Sequence, residues 1–161
     1  MAEQLCLKFW EWHRLPVICL RYFNVYGERQ AVEGAYATVV GIFLRQKING
    51  EPLTIVGDGE QRRDFTYVAD VVEANISAMK SISYLVGQVI NIGTGENYSV
   101  NGIADLFETY QLAQNRIYLP PRPGEARETL ADISKARKLL GYQPTMYLKT
   151  WLDSQLRRTA L

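Results

Sequence analysis

A chain of 161 residues with 47% hydrophobic content is long and apolar enough to bury a sizeable core, which excludes global disorder. Lys and Arg total 18 against 17 Asp and Glu, a balance that gives no electrostatic pull toward nucleic acid or an anionic membrane surface. No apolar run reaches the roughly 18 residues of a membrane span, the start lacks the order of a signal peptide, and Cys6 and Cys19 have no metal-ligand spacing to a histidine. These features lead to the expectation of a cytoplasmic protein with buried, reduced thiols.

In chain order, residues 2 to 14 read as a helix with Leu5, Phe9 and Trp12 on one face, ended by Leu15-Pro16. No cap or loop introduces it, so the chain reads as opening in the middle of a larger unit. Val17 to Phe23 follows as a strand whose VICL core is apolar on both faces, as a parallel strand between helices requires. Gly27 turns the chain into a polar loop over 28 to 35. Tyr36 to Lys47 reads as a helix with Tyr36, Val39, Val40, Phe43 and Leu44 inward, broken at Asn49-Gly50. Pro52 to Val56 is a short strand, Gly57-Asp58-Gly59 a tight turn, and Gln61 to Thr66 a polar and charged stretch.

Tyr67 to Lys80 is a third helix, read with Val68, Val72, Asn75 or Ile76, and Met79 on its inner side. Val89 to Ile92 is a strand ending in Gly93-Thr94-Gly95. Ser99 caps a fourth helix whose face is Ile103, Leu106, Phe107 and Tyr110. Arg116 to Leu119 is a strand that leads into the irregular Pro120-Pro121-Arg122-Pro123-Gly124-Glu125. Asp132 caps a short helix closed at Gly141, and Met146 to Leu156 carries Leu148, Trp151 and Leu152 inward. Helices alternating with apolar strands make the class α/β.

Several residues could carry chemistry. GDGEQR at 57 to 62 and GTGENY at 93 to 98 follow strands, but Arg62 and Tyr98 stand where a dinucleotide fingerprint needs its third glycine. Both are explained as turns, and the second also as a loop approaching a cofactor. Arg62-Arg63 and Arg122 sit in restricted loops, where a guanidinium fork either grips a pyrophosphate or is solvated. Glu125 is a salt-bridge partner for Arg122 or an acceptor for ligand hydroxyls. Asn24 ends a stiff strand and presents a directed or a solvated amide. His13 reads as packing, and Asp64 and Asp70 as caps and turn acceptors or as catalytic acids.

RYFNVYGERQ, GAYATVVGIFLRQ, PLTIVGDGEQRRDFTYVADVVEAN, NIGTGENYSV and PRPGEARETLADISKARKLLGYQP resemble successive blocks of the extended short-chain dehydrogenase/reductases. Within the NAD-dependent epimerases and dehydratases, the best match is the nucleotide-sugar 4-epimerase group typified by UDP-glucose 4-epimerase. The resemblance implies that Tyr22 and Phe23 line the junction of nicotinamide and sugar, and that Asn24 contacts substrate phosphate or sugar. It implies that Arg63 and Arg122 hold the diphosphate of a UDP-sugar or related nucleotide sugar, while Glu125 accepts from its ribose. Tyr36 to Val40 resembles the stretch covering the sugar nucleotide, although Gly41 stands where many members have proline. Thr129 resembles a position beside the C2 substituent, where threonine leaves room for an N-acetyl group.

The family's GxxGxxG loop is not found, and none of the ten tyrosines has lysine four places on, so the catalytic Tyr-x-x-x-Lys is not found either. The resemblance therefore implies the C-terminal half of a Rossmann-type extended enzyme. Residues 1–27 and 67–112 would belong to the NAD-binding domain, and 28–66 and 113–161 to the substrate lobe. The implied function is NAD-dependent oxidation and re-reduction at hexose C4, with this chain inactive alone and completed by an N-terminal segment or a homodimer. A non-catalytic nucleotide-sugar-binding or structural subunit, and a dehydratase or reductase of the same family, are the alternatives.

Overall fold

The computed structural model describes residues 1–34, 36–109 and 115–159, with only the backbone of the last two. Tyr110 of the expected fourth-helix face lies outside them. Helix α1, Ala2–His13, ends in a left-handed Arg14 whose guanidinium carbon lies 5.6 Å from the Trp10 ring centroid. The chain then enters β1, Ile18–Tyr22, and short β2, Val25–Tyr26. Helix α2, Val39–Ile48, precedes β3, Leu53–Val56. Strands β4, Arg62–Asp64, and β5, Thr66–Tyr67, run straight into α3, Val68–Lys80. Next come β6, Gln88–Ile92, β7, Asn97–Ser99, and α4, Val100–Thr109. Strand β8, Arg116–Leu119, and helices α5, Ser134–Leu140, and α6, Leu148–Thr159, complete the described chain.

The strands pair two by two: β1 with β6, β2 with β5 and β3 with β8 in parallel, and β4 with β7 antiparallel. Ile18 lies opposite Gln88 and Tyr22 opposite Ile92, so β1 and β6 end together. Val71 and Ala74 of α3, Ala136 of α5, Tyr142, and Ile90 and Ile92 of β6 form one apolar core against Ile18 and Leu20. A second, larger core joins α2, α4 and α6 to β3. In it the Phe43 and Phe107 rings meet edge to face at 5.7 Å, and Tyr26 packs on Trp151 at 5.2 Å. The Tyr26 hydroxyl donates to the Met146 carbonyl at 3.0 Å, and burial, followed by the charge of Asp70, pushes its pKa up. Helix α3 and β6 thus pack in the first core and α4 in the second.

Two expectations need correction, and one stretch gains structure that its residues did not announce. Helix α3 turns a different face inward: Asp70, Val71, Ala74 and Ala78 are buried, while Val72 is 51% and Met79 73% exposed. Small alanines let the helix backbone come close to the sheet, and the Asp70 carboxylate is drawn in because Thr145 N, Thr145 Oγ1 and Met146 N all donate to it. Periodicity weighted by side-chain size selects the wrong face there. The polar and charged stretch Gln61 to Thr66 carries β4 and β5, whose partners lie far along the chain and so leave no local signal. Cys6 is exposed rather than buried, because α1 has no buried residue.

Candidate functional site

The site begins where β1 and β6 end. Phe23 N donates to Ile92 O at 3.1 Å, and Thr66 Oγ1 donates to Phe23 O at 2.6 Å. This fixes the carboxyl end of the parallel pair, the edge where open α/β sheets place ligands. The next residue, Asn24, takes a left-handed φ of 29°, which asparagine tolerates better than most side chains. Its Nδ2 donates to Asp64 O at 2.7 Å, leaving Oδ1 as the free acceptor of a directed amide.

Asn24 lines a cavity of about 230 Å³ together with Thr38, Thr54, Gln61, Arg63, Arg122 and Glu125. A second hollow of about 480 Å³ shares Gln61, Leu119, Arg122 and Glu125 and continues to Asp58 and Arg127. Asp58 accepts from Arg127 Nη1 at 2.7 Å, a bond that holds its carboxyl below the usual carboxylate range. The two hollows together form a trough crossed by Arg122 and Glu125.

Arg63 is largely buried, its side chain 16% exposed, and its Nη2 meets Glu125 Oε1 at 3.1 Å. Glu125 therefore pairs with Arg63 and not with Arg122, as the short sequence spacing suggested. Among the described residues Arg122 joins no ion pair, so one paired and one unpaired guanidinium face the same space. Arg62 points away: its Nε donates to Asn97 Oδ1 at 2.7 Å and its Nη2 to Asn97 O at 3.0 Å, a cross-strand bond. The alternation is regular, with Gln61, Arg63 and Phe65 lining the cavity while Arg62 and Asp64 turn to the opposite face.

The other candidate residues lie elsewhere. Tyr22 is 47% exposed, and its hydroxyl donates to Asn75 Oδ1 at 2.9 Å beside an apolar groove with Ile18, Leu20 and Met79. Phe23 contributes its backbone to the strand end. Tyr36 precedes α2 instead of opening it, is 92% exposed and borders a separate hollow beside Gly27 and Gln30. Val40 is fully buried in the larger core. Gly41 is explained by a close approach, since a Cβ there would strike the Ala31 carbonyl oxygen. Thr129 is outside the cavity: its backbone exchanges hydrogen bonds with Arg62 and Asp64, and its buried hydroxyl has no partner among the described residues.

Sequence reasoning missed Gln61, which is 8% exposed and donates from Nε2 to Val56 O at 2.9 Å while lining both hollows. The available signal was alternation through 61, 63 and 65, hidden by the charge of the stretch. The role of Gly93 was missed as well. A Cβ on it would clash with Ala131 Cβ and stand 2.9 Å from Asp64 Oδ2. Gly93→Ala is expected to cost about 1–3 kcal/mol by overpacking, read as a lower urea midpoint at unchanged m-value. A shift under a quarter of that would show that the loop yields freely.

The model of the NAD dependent epimerase/dehydratase family matches residues 1–93. The chain belongs to this family. It is 38% identical over 156 residues to an uncharacterized UDP-glucose epimerase of Bacillus subtilis, covering 96% of this chain and 48% of that protein. A UDP-glucose 4-epimerase of Thermotoga maritima, solved with UDP-glucose, superposes with a TM-score of 0.88 at 37% identity, over 99% of this chain and 52% of that one. A UDP-glucuronic acid 4-epimerase of Bacillus cereus, solved with UDP-glucuronic acid and NAD, gives a TM-score of 0.84 at 37% identity, over 97% and 49%.

These findings correct the expectation that the likeness is that of a C-terminal half which is inactive until another segment completes it. The family model matches residues 1–93, and the epimerase structures superpose on nearly the whole of this chain. The chain spans about half the length of the relatives it matches. Among the described residues no helix is long and apolar enough to cross a membrane.

NAD is the cofactor of the family. At the carboxyl end of β1 Tyr22 is exposed with its hydroxyl on Asn75, and Asn24 follows with its amide held by Asp64 O. No third glycine completes a pyrophosphate-binding fingerprint at Gly57-Asp58-Gly59 or Gly93-Thr94-Gly95.

Proposed function

We propose that this chain binds a nucleoside diphosphate sugar, of the UDP-hexose class, and serves NAD-dependent epimerisation at the hexose C4. The observation that supports this most is the convergence of Asn24, Arg63, Arg122 and Glu125 on one cavity from three segments far apart in sequence. Two guanidinium groups supply planar forks for the diphosphate oxygens. Glu125 supplies a carboxylate for the vicinal ribose hydroxyls, already aimed by its contact with Arg63. Asn24 Oδ1 offers an acceptor at the strand end where sugar and nicotinamide meet.

The chemistry that bound NAD would supply is a reversible hydride acceptor for the sugar carbon. Asn24, Arg63, Arg122 and Glu125 would hold the substrate for that exchange, fixing the diphosphate and with it the position of the hexose. Substrate grip of this kind is differential positioning, and a misplacement of about 1 Å costs on the order of 100-fold in rate.

Calorimetric titration of the chain with UDP-glucose and UDP-N-acetylglucosamine tests the proposal. Saturable binding that UDP alone retains in part, and glucose does not compete, is the expected result. A folded chain that binds none of the uridine ligands would overturn it.

A further inference from the structure

We propose that Asp64 is a positioning residue for the nucleotide-sugar site, acting through Asn24 and Arg63; this rests on the substrate reading given above. Asp64 is fully buried and, among the described residues, joins no salt bridge. Its Oδ1 accepts from Thr94 N at 2.9 Å and Thr94 Oγ1 at 2.7 Å, and its Oδ2 accepts from Gly95 N at 2.9 Å and Ala131 N at 3.2 Å. A buried carboxylate without a counter-charge is costly, and four donors are what make it tolerable. They come from two loops, so one side chain ties the end of β6 to the segment that follows Thr129.

The main chain of the same residue reaches the site. Asp64 O accepts from Asn24 Nδ2 at 2.7 Å, and Asp64 N donates to Thr129 O at 3.1 Å. Because side chains alternate along β4, pinning Asp64 on the back face holds Arg63 and Phe65 against the cavity on the front. The glycine at 93 fits this arrangement, since a side chain there would displace the Asp64 carboxylate. Asp64 touches no cavity space itself; it sets the register and tilt from which two ligand-facing side chains project.

Asp70 provides a matched control. It is 3% exposed, accepts from Thr145 N and Oγ1 and from Met146 N, and lies off the trough. Asp64→Asn keeps one acceptor oxygen and turns an amide against donors. UDP-glucose is titrated into wild type, Asp64→Asn, Asp70→Asn, Asn24→Ala and the double variant Asp64→Asn/Asn24→Ala. Asp64→Asn is expected to weaken binding about tenfold, while Asp70→Asn binds within about twofold of wild type. The Asn24→Ala penalty should shrink by at least about half in the Asp64→Asn background, because a displaced amide has less to lose. If Asp64→Asn does not fold, Thr94→Ala, which removes one donor only, takes its place with an expected loss of about threefold.

Equal binding by wild type and Asp64→Asn, or additive penalties in the double variant, overturns the positioning role while leaving the substrate reading standing. Absence of binding by folded wild type overturns the substrate reading, and the positioning role falls with it.

Discussion

Arg63→Ala weakens UDP-glucose binding by about 30-fold or more, the largest loss expected at the site. The side chain is only 16% exposed, and its guanidinium already spans from Arg62 O, at 2.8 Å from Nη1, to Glu125 at 3.1 Å from Nη2. Its direction is therefore fixed before a ligand arrives, and little entropy is lost when phosphate oxygens replace solvent. Removing it also takes away the ion-pair partner of Glu125 beside an anionic ligand, which adds repulsion to the lost bond. Titration of the variant reads both effects, with Arg62→Ala as a neighbour whose guanidinium bonds to Asn97 instead. A loss below about threefold for Arg63→Ala would mean that phosphate does not sit against this arginine.

Phe107→Ala is expected to destabilise the chain by about 3–5 kcal/mol, the range for removing a phenyl group from a packed core. Phe107 is fully buried and stands edge to face on Phe43, between α4 and α2. The wall of the cavity is the other side of that packing: Ile42 of α2 and Val100 of α4 both line it. The variant should lower the urea midpoint with an unchanged m-value and also loosen ligand binding, since the helices that carry the wall lose their spacer. A destabilisation below about 1 kcal/mol would show that the α2–α4 contact collapses to fill the gap.

Much of the architecture was legible from local chemistry. VICL announces a strand, Leu15-Pro16 ends the first helix, and Gly57 and Gly59, with φ of 64° and 76°, form the turn after β3 that their type suggests. The arginine-bearing loops and Glu125 could be marked as ligand candidates because guanidinium and carboxylate chemistry is evident from residue type. Their convergence was not evident, because segments near 24, 63 and 122 are joined only by pairing across the fold.

Other features follow from three-dimensional neighbours. The inner face of α3 depends on how closely two alanines let it approach β1 and β6, a matter of distance that hydrophobicity does not encode. Gln61 to Phe65 is charged enough to pass for a loop, yet alternates in space because its partners at 97–99 and 127–129 hold it extended. Glu125 chose Arg63 over the nearer Arg122 because backbone geometry, not sequence separation, sets which charges meet.

The amino-acid sequence by itself determined the α/β class, the turn and cap chemistry, and the family, since each rests on residue types at short spacing. Only the tertiary structure decided which side chains share the cavity, which arginine is left unpaired, and that Asp64 supports the site from behind. Those depend on contacts between residues tens of positions apart, whose free energy exists only once the chain has closed its loops.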